Sequence, residues 1–294
     1  MVSSIPARAI QPSVRWLRLS AALALGMLSA MPLVGAEREY AVYVVKPDGS
    51  QLRKVTHVDG YDIHDGARFS HDGKRIVFTA ITANAGARGR DIFVVNADGS
   101  GLAKIGSGEC PDWSPDDKQI AYGVGRREIY VQNLDGEGRS QIAQGYCPRW
   151  SPDGSQMAFI DAEMLHVMDL ASGEDRALFD APFETLYIGC CWSPDGQWLA
   201  ISARPQPRVR RQVLIVSAKG AEHGLKVRLE NEAGGQMAFS PDGKQLLFDN
   251  NYFMHIIDVA GTGRPRQVPG QQAANRDPNW SPDGEWIVFT SNRD

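Results

Sequence analysis

Arg68, Asp112, Arg149, Cys191 and Asn279 each stand two residues before a repeated serine (Ser70, Ser114, Ser151, Ser193 and Ser281), and Ala238 holds the same place before Ser240. An Arg-Asp-Arg series supplied by three successive repeats can do one of two things: bind an anion through charge-assisted hydrogen bonds, or satisfy itself as a buried ion-pair network. The four cysteines follow the same rhythm. Cys110 and Cys147 share one repeat position, and Cys190 and Cys191 fall nearly in phase one unit later. Thiols so placed serve as small buried residues, as a disulfide (Cys110 with Cys147, or Cys147 with Cys190), or as a soft-metal or redox-sensing group. No C-x-x-C pair accompanies them.

A second basic set lies between repeat-internal apolar runs: Arg88 and Arg90, Arg126 and Arg127, then Arg204, Arg208, Arg210 and Arg211 in "ARPQPRVRRQ". Loops of that kind share one face of a repeat protein. They would give a chain of net charge -4 a basic rim, suited to an acidic peptide or a carboxylated glycan, unless the side chains are merely solvated. Catalytic signatures are absent: no G-x-S-x-G, H-E-x-x-H or phosphate-loop pattern occurs. The six histidines (His57, His64, His71, His166, His223 and His255) share no repeat position, so they form no ligand ring. A cation such as calcium in a central channel is the one cofactor left open.

The elements that position these residues are written six times: "ARFSHDGKRIVFTA", "PDWSPDDKQIAYGV", "PRWSPDGSQMAFID", "CCWSPDGQWLAIS", "MAFSPDGKQLLFDN" and "PNWSPDGEWIVFTS". The serines are 44, 37, 42, 47 and 41 residues apart, the period of four-stranded propeller blades. Ser-Pro-Asp-Gly matches the residue preferences of a type I turn closing a hairpin, the glycine taking the positive φ that follows. Asp117 is a tolerable stand-in for that glycine, and His71, in place of proline, costs rigidity only. Each turn leads into a continuous apolar run such as Ile76-Val77-Phe78 or Leu246-Leu247-Phe248, as expected of strands covered on both faces. The aromatics before the serines (Phe69, Trp113, Trp150, Trp192, Phe239 and Trp280) read as wedges between blades.

A second turn recurs in each unit, as in "NADGS" and "NLDGE", giving two hairpins and four strands per blade. The last copy supplies two strands only, and "EREYAVYVVKPDGSQLRKVT", residues 37-56, supplies the other two. The expected fold is therefore all-β: one six-bladed propeller over residues 37-294, closed by pairing of the N- and C-terminal strands. Ahead of it, Arg8, Arg15 and Arg18 precede an apolar run over residues 19-36 that ends in small residues, which reads as an export signal cleaved after Ala36. Gly26 and Pro32 interrupt that run, and no later segment is apolar enough to span a bilayer. Cleavage would leave 28 basic and 35 acidic residues, which argues against nucleic acid and anionic lipid as partners.

The repeated W-SPDG pattern resembles the TolB family and related WD-repeat-like propellers, and the likeness spans residues 38-294. That family's amino-terminal α/β domain has no counterpart in the resemblance. The resemblance implies a monomeric, periplasmic or secreted propeller of the cell envelope that binds a protein or peptide at its channel mouth. Related propellers also include oligogalacturonate-cleaving enzymes, so the alternative it implies is a lyase or hydrolase acting on an anionic oligosaccharide.

Overall fold

In the computed structural model, residues 40-82, 89-179, 185-204, 211-230, 235-250, 252-260 and 263-293 are described, all within one unit, Glu37–Asp294. The proposed leader lies outside these residues. They form six four-stranded antiparallel sheets. The first blade holds β3 (Ile63–Phe69), β4 (Arg75–Ile81), β5 (Arg90–Asn96) and β6 (Ala103–Ser107); the second, β7 (Glu109–Trp113), β8 (Gln119–Val124), β9 (Glu128–Asn133) and β10 (Ser140–Gln144). The third holds β11 (Tyr146–Trp150), β12 (Gln156–Asp161), β13 (Met164–Asp169) and β14 (Asp175–Ala177); the fourth, β15 (Thr185–Trp192), β16 (Trp198–Arg204), β17 (Gln212–Ser217) and β18 (Leu225–Glu230). The fifth holds β19 (Met237–Phe239), β20 (Gln245–Asn250), β21 (Phe253–Asp258) and β22 (Arg266–Gln267).

The sixth blade joins the two ends of the chain. Its order is β2 (Arg53–Thr56), β1 (Ala41–Val45), β24 (Ile287–Ser291) and β23 (Asn275–Trp280), with Ala41 opposite Ser291 and Val45 opposite Ile287. The ring therefore closes by main-chain pairing, as the sequence implies, and leaves no half-blade edge exposed. The second strands are buried on both faces: Ile76, Phe78, Ile120, Leu199, Leu246 and Phe289 are wholly buried, and the clusters they form lie between neighbouring sheets. No helix among the described residues is long and apolar enough to cross a membrane.

Each Ser-Pro-Asp-Gly turn is held by the serine itself, which is buried in all six copies. In the third blade the Ser151 hydroxyl donates to Asp153 Oδ1 at 2.6 Å and accepts the amide of Gln156 at 2.9 Å. The same pair of bonds recurs at Ser70, Ser114, Ser193, Ser240 and Ser281. These bonds hold the turn aspartates (Asp72, Asp116, Asp153, Asp195, Asp242 and Asp283) below the usual carboxylate range, the serine hydroxyl contributing most.

The turns also touch one another around the ring. A Cβ on Gly154 would lie 3.5 Å from Pro115, and Gly196, Gly243, Gly284 and Gly73 face Pro152, Pro194, Pro241 and Pro282 in the same way. The sixth junction differs. There the first-blade turn has His71 where the others have proline, and the second has Asp117 where the others have glycine. The two compensate: Asp117 Oδ1 accepts the His71 amide at 2.8 Å and lies 3.0 Å from His71 Nδ1, while Asp117 Oδ2 accepts the Asp72 amide at 2.8 Å. His71 is thus more than a loss of rigidity, because its free N–H makes a bond that proline could not. Asp117 bears a φ of 57° to make it. Replacing both residues together, His71→Pro with Asp117→Gly, is expected to destabilise less than the two single changes summed, by about 1 kcal/mol, a coupling that a denaturation double-mutant cycle measures.

Candidate functional site

The axis is lined by the first strand of every blade, and these strands share a distortion four residues before the serine. Gly66, Cys110, Cys147, Gly189 and Asp277 occupy this place with positive φ (64°, 54°, 53°, 143° and 53°), each within a break of strand register. Gln236 holds the sixth position. A bulge of this kind turns the strand so that residues beyond it face inward.

Beyond the bulge, Arg68, Asp112, Arg149, Cys191, Ala238 and Asn279 meet as the floor of a cup of about 330 Å³. The aromatic wedges form its wall, and the turn prolines Pro152, Pro194, Pro241 and Pro282 stand at its mouth. The wedges therefore pack between blades and also present an edge to the cavity. Trp113 Nε1 donates to the Arg68 carbonyl at 3.2 Å and Trp192 Nε1 to the Arg149 carbonyl at 3.0 Å, so the indoles tie successive blades together.

The floor is bound across alternate blades. Gln236, from the fifth, accepts from Arg68 Nη2 of the first at 3.4 Å and from Arg149 Nη2 of the third at 3.2 Å. Arg149 also donates to the carbonyls of Cys110 and Pro148. Asp112 Oδ1 lies 3.7 Å from Arg68 Nε, and its Oδ2 accepts the Trp150 amide at 2.9 Å. Turned so that both ends of its amide are satisfied, Asn279 accepts from Arg68 Nη1 at 3.2 Å. Burial, then the like charge of Arg149, pulls the Arg68 guanidinium below its ordinary value. At Arg149 burial pulls the same way, but Asp112 together with Cys110, Cys147 and Cys190 more than offsets it.

The cysteines sit just beneath. All four are buried and unbridged, and Cys110 Sγ lies 2.6 Å from Cys147 Sγ across the junction of blades two and three. Cys191 faces the cup, whereas Cys190 packs in the core with Cys110 and Cys147. Burial pushes the thiols of Cys190 and Cys191 up to about 11 and about 12, which makes them poor nucleophiles.

The opposite end of the axis is acidic, a feature not anticipated from the sequence. Asp277 Oδ2 accepts the Gly66 amide at 3.4 Å, and burial followed by the charge of neighbouring Asp65 drives Asp277 well above the usual carboxylate range. Asp249 is pushed up to about 7, chiefly by burial. Among the described residues no three His, Cys, Asp or Glu side chains are arranged to hold a metal ion.

The predicted arginine rim lies away from the cup. Loops between second and third strands emerge at the end opposite the Ser-Pro-Asp-Gly turns, as the pairing of Ile81 with both Ile63 and Arg90 requires. Arg90 Nε pairs there with Glu109 at 3.0 Å, Arg126 stacks on Tyr146, and Arg127 is exposed. Arg204 and Arg211 end β16 and precede β17, each with contacts inside the protein. Arg88, Arg208 and Arg210 lie outside the described residues. The structure thus gathers Arg68, Asp112, Arg149, Cys191 and Asn279 into one site and leaves the rim at the other face. Gln236 and the acidic group were missed, although Gln236 and Asp277 both stand four residues before a repeated serine.

Comparison with known proteins follows the fold. No family model matches the chain. A TolB crystal structure from Acinetobacter baumannii aligns with a TM-score of 0.65 at 19% identity, over 84% of this chain and 67% of that one. A chain from Agrobacterium tumefaciens assigned to TolB aligns at 0.68 and 18%, over 86% and 98%. The oligogalacturonate lyase of Vibrio parahaemolyticus aligns at 0.54 and 10%, over 86% and 97%. In sequence, the uncharacterized peptidase YuxL of Bacillus subtilis is 27% identical over 139 residues, 45% of this chain but only 19% of its own length. The molecule is a six-bladed β-propeller of the TolB-like fold with an arginine-floored axial cup.

Two measurements bear on the site. Oxidised glutathione is expected to join Cys110 to Cys147, so that alkylation of the denatured protein marks two cysteines before reduction and four after. A folded Asp249 that holds its proton more tightly than the unfolded chain adds stability that is full below about pH 4 and is lost as pH rises through about 7. The melting temperature should accordingly fall between pH 4 and pH 7, and Asp249→Asn should flatten that fall.

Proposed function

We propose that this propeller is an exported binding scaffold without catalytic activity, which captures a segment of a protein partner in its axial cup. The cup carries the reading: it is a concave, aromatic-walled cavity with a few polar groups converging at its floor, the usual form of a recognition site. The likeness to TolB supports a propeller used for binding, and the leader pattern supports export to the periplasm or beyond.

A second reading has one observation in its favour. The lyase of the same fold acts on an anionic sugar, and the cup floor is basic. Its weakness is chemical, since no side chain at the floor is placed with a second group as an acid-base pair.

A photo-crosslinking residue at Pro194, on the cup mouth, is expected to trap a discrete protein from the envelope fraction, while the same residue at Arg127 on the far face is not. Equal capture at both positions, or none at Pro194, would overturn the proposal. Unsaturated product from oligogalacturonate would establish the second reading instead.

A further inference from the structure

The floor of the cup holds more positive charge than it neutralises. Arg68 and Arg149 are 9% and 2% exposed, and among the described residues Asp112 is the one acidic side chain that lines the cavity with them. That carboxylate is already shared between Arg68 and the Trp150 amide. The remaining polar floor residue, Asn279, is neutral, as is Gln236 beneath it, which accepts from both guanidiniums on a single oxygen.

Donors also outnumber acceptors. Arg68 Nε, Arg149 Nε, Trp150 Nε1 and Trp280 Nε1 are buried and have no hydrogen-bond partner among the described residues, whereas the indoles of Trp113 and Trp192 are bonded to carbonyls. All four residues line the cup, but these particular atoms are sealed between the blades, so it is the guanidinium charge rather than the orphan N–H groups that a ligand in the cup would meet. Two guanidiniums that line the cavity, converge on one neutral oxygen and have a single carboxylate beside them call for an anion.

The walls narrow the choice of anion. Between floor and mouth the lining is Trp and Phe; at the mouth, beside the prolines, Ser70 and Ser281 already donate to Asp72 and Asp283, and His71 is held by Asp117. A uronate ring carries several hydroxyls that would meet no partner on such a wall. An aliphatic stem ending in a carboxylate suits both wall and floor.

Resting on the partner-capture reading, we infer that the cup is a carboxylate-binding site, in which Arg68 and Arg149 receive the acidic side chain or the free C-terminus of a peptide segment. The carboxylate accepts from the two guanidiniums, with Asp112 holding Arg68 in place and Gln236 holding both. Arg68 is the better residue to alter, because Arg149 also braces the Cys110 and Pro148 carbonyls.

The test follows tryptophan emission of the full-length protein, since Trp113, Trp150, Trp192 and Trp280 all line the cavity. The probes are N-acetyl-glutamyl amide and N-acetyl-leucine, their neutral counterparts N-acetyl-glutaminyl amide and N-acetyl-leucinamide, and galacturonate. One or both peptide carboxylates should give a saturable change, and which of them binds separates side chain from C-terminus. The neutral counterpart should bind at least about tenfold more weakly, the loss expected for a charged hydrogen bond. Arg68→Gln should weaken carboxylate binding by the same factor while melting near the wild-type temperature.

The inference is overturned if neither carboxylate saturates, if amide and carboxylate bind alike, if folded Arg68→Gln binds as the wild type, or if galacturonate alone binds. Should Arg68→Gln fail to fold, the carboxylate and amide pairs on the wild type decide the matter. A silent titration alongside partner capture at Pro194 would remove the carboxylate and leave the scaffold. Saturable carboxylate binding without capture would do the reverse.

Discussion

A buried hydroxyl between an amide and a carboxylate closes each of the six hairpins, and every other feature of the molecule is built from that point. The serine sets the length of the turn by accepting the amide five residues on, and its aspartate partner completes the loop. Because the same bonds recur in each blade, the residues before the serine arrive at the axis at equal heights. The interblade wedge and the cup floor are therefore levels counted back from one hydroxyl. Slippage by a single residue would exchange the two, putting a tryptophan on the floor and a guanidinium between sheets.

The axis that results is polar from end to end. Guanidiniums collect toward the Ser-Pro-Asp-Gly face, and buried carboxyls toward the other, with the Gly66 amide donating to Asp277 between blades one and six. Burial acts in opposite senses at the two ends. It pushes the aspartates toward the neutral form, against the opposing charge of Arg276 at Asp249. The arginines stay charged, and Asp112 supports them only in part.

The architecture was legible because hairpin chemistry is local: turn residues, apolar runs and wedges declare themselves within 14 residues. Closure by the terminal strands followed from counting half-blades. The level two residues before the serine was also legible, and it does form the floor. What was hidden depends on contacts between blades far apart in sequence. Gln236 reads as an unremarkable polar residue until the first, third and fifth blades are brought round to face one another. Asp249 lies near the end of a strand, and only closure of the ring brings it close to Asp65 and Asp277. His71 and Asp117 each look like a departure from the repeat, and only the geometry of adjacent turns makes them one feature. The rim arginines among the described residues lie by loops between second and third strands, which open away from the cup.

The clasp between β1 and β24 has a kinetic corollary. Its paired residues, such as Ala41 and Ser291, are separated by all the other blades in sequence, so this sheet carries the largest chain-closure entropy among the described sheets. Five sheets can assemble from neighbouring segments as they become available, but the sixth must wait for the final strand. During that interval a row of unpaired main-chain groups on the first strand stays open to strangers, and the secured circle is what withdraws it.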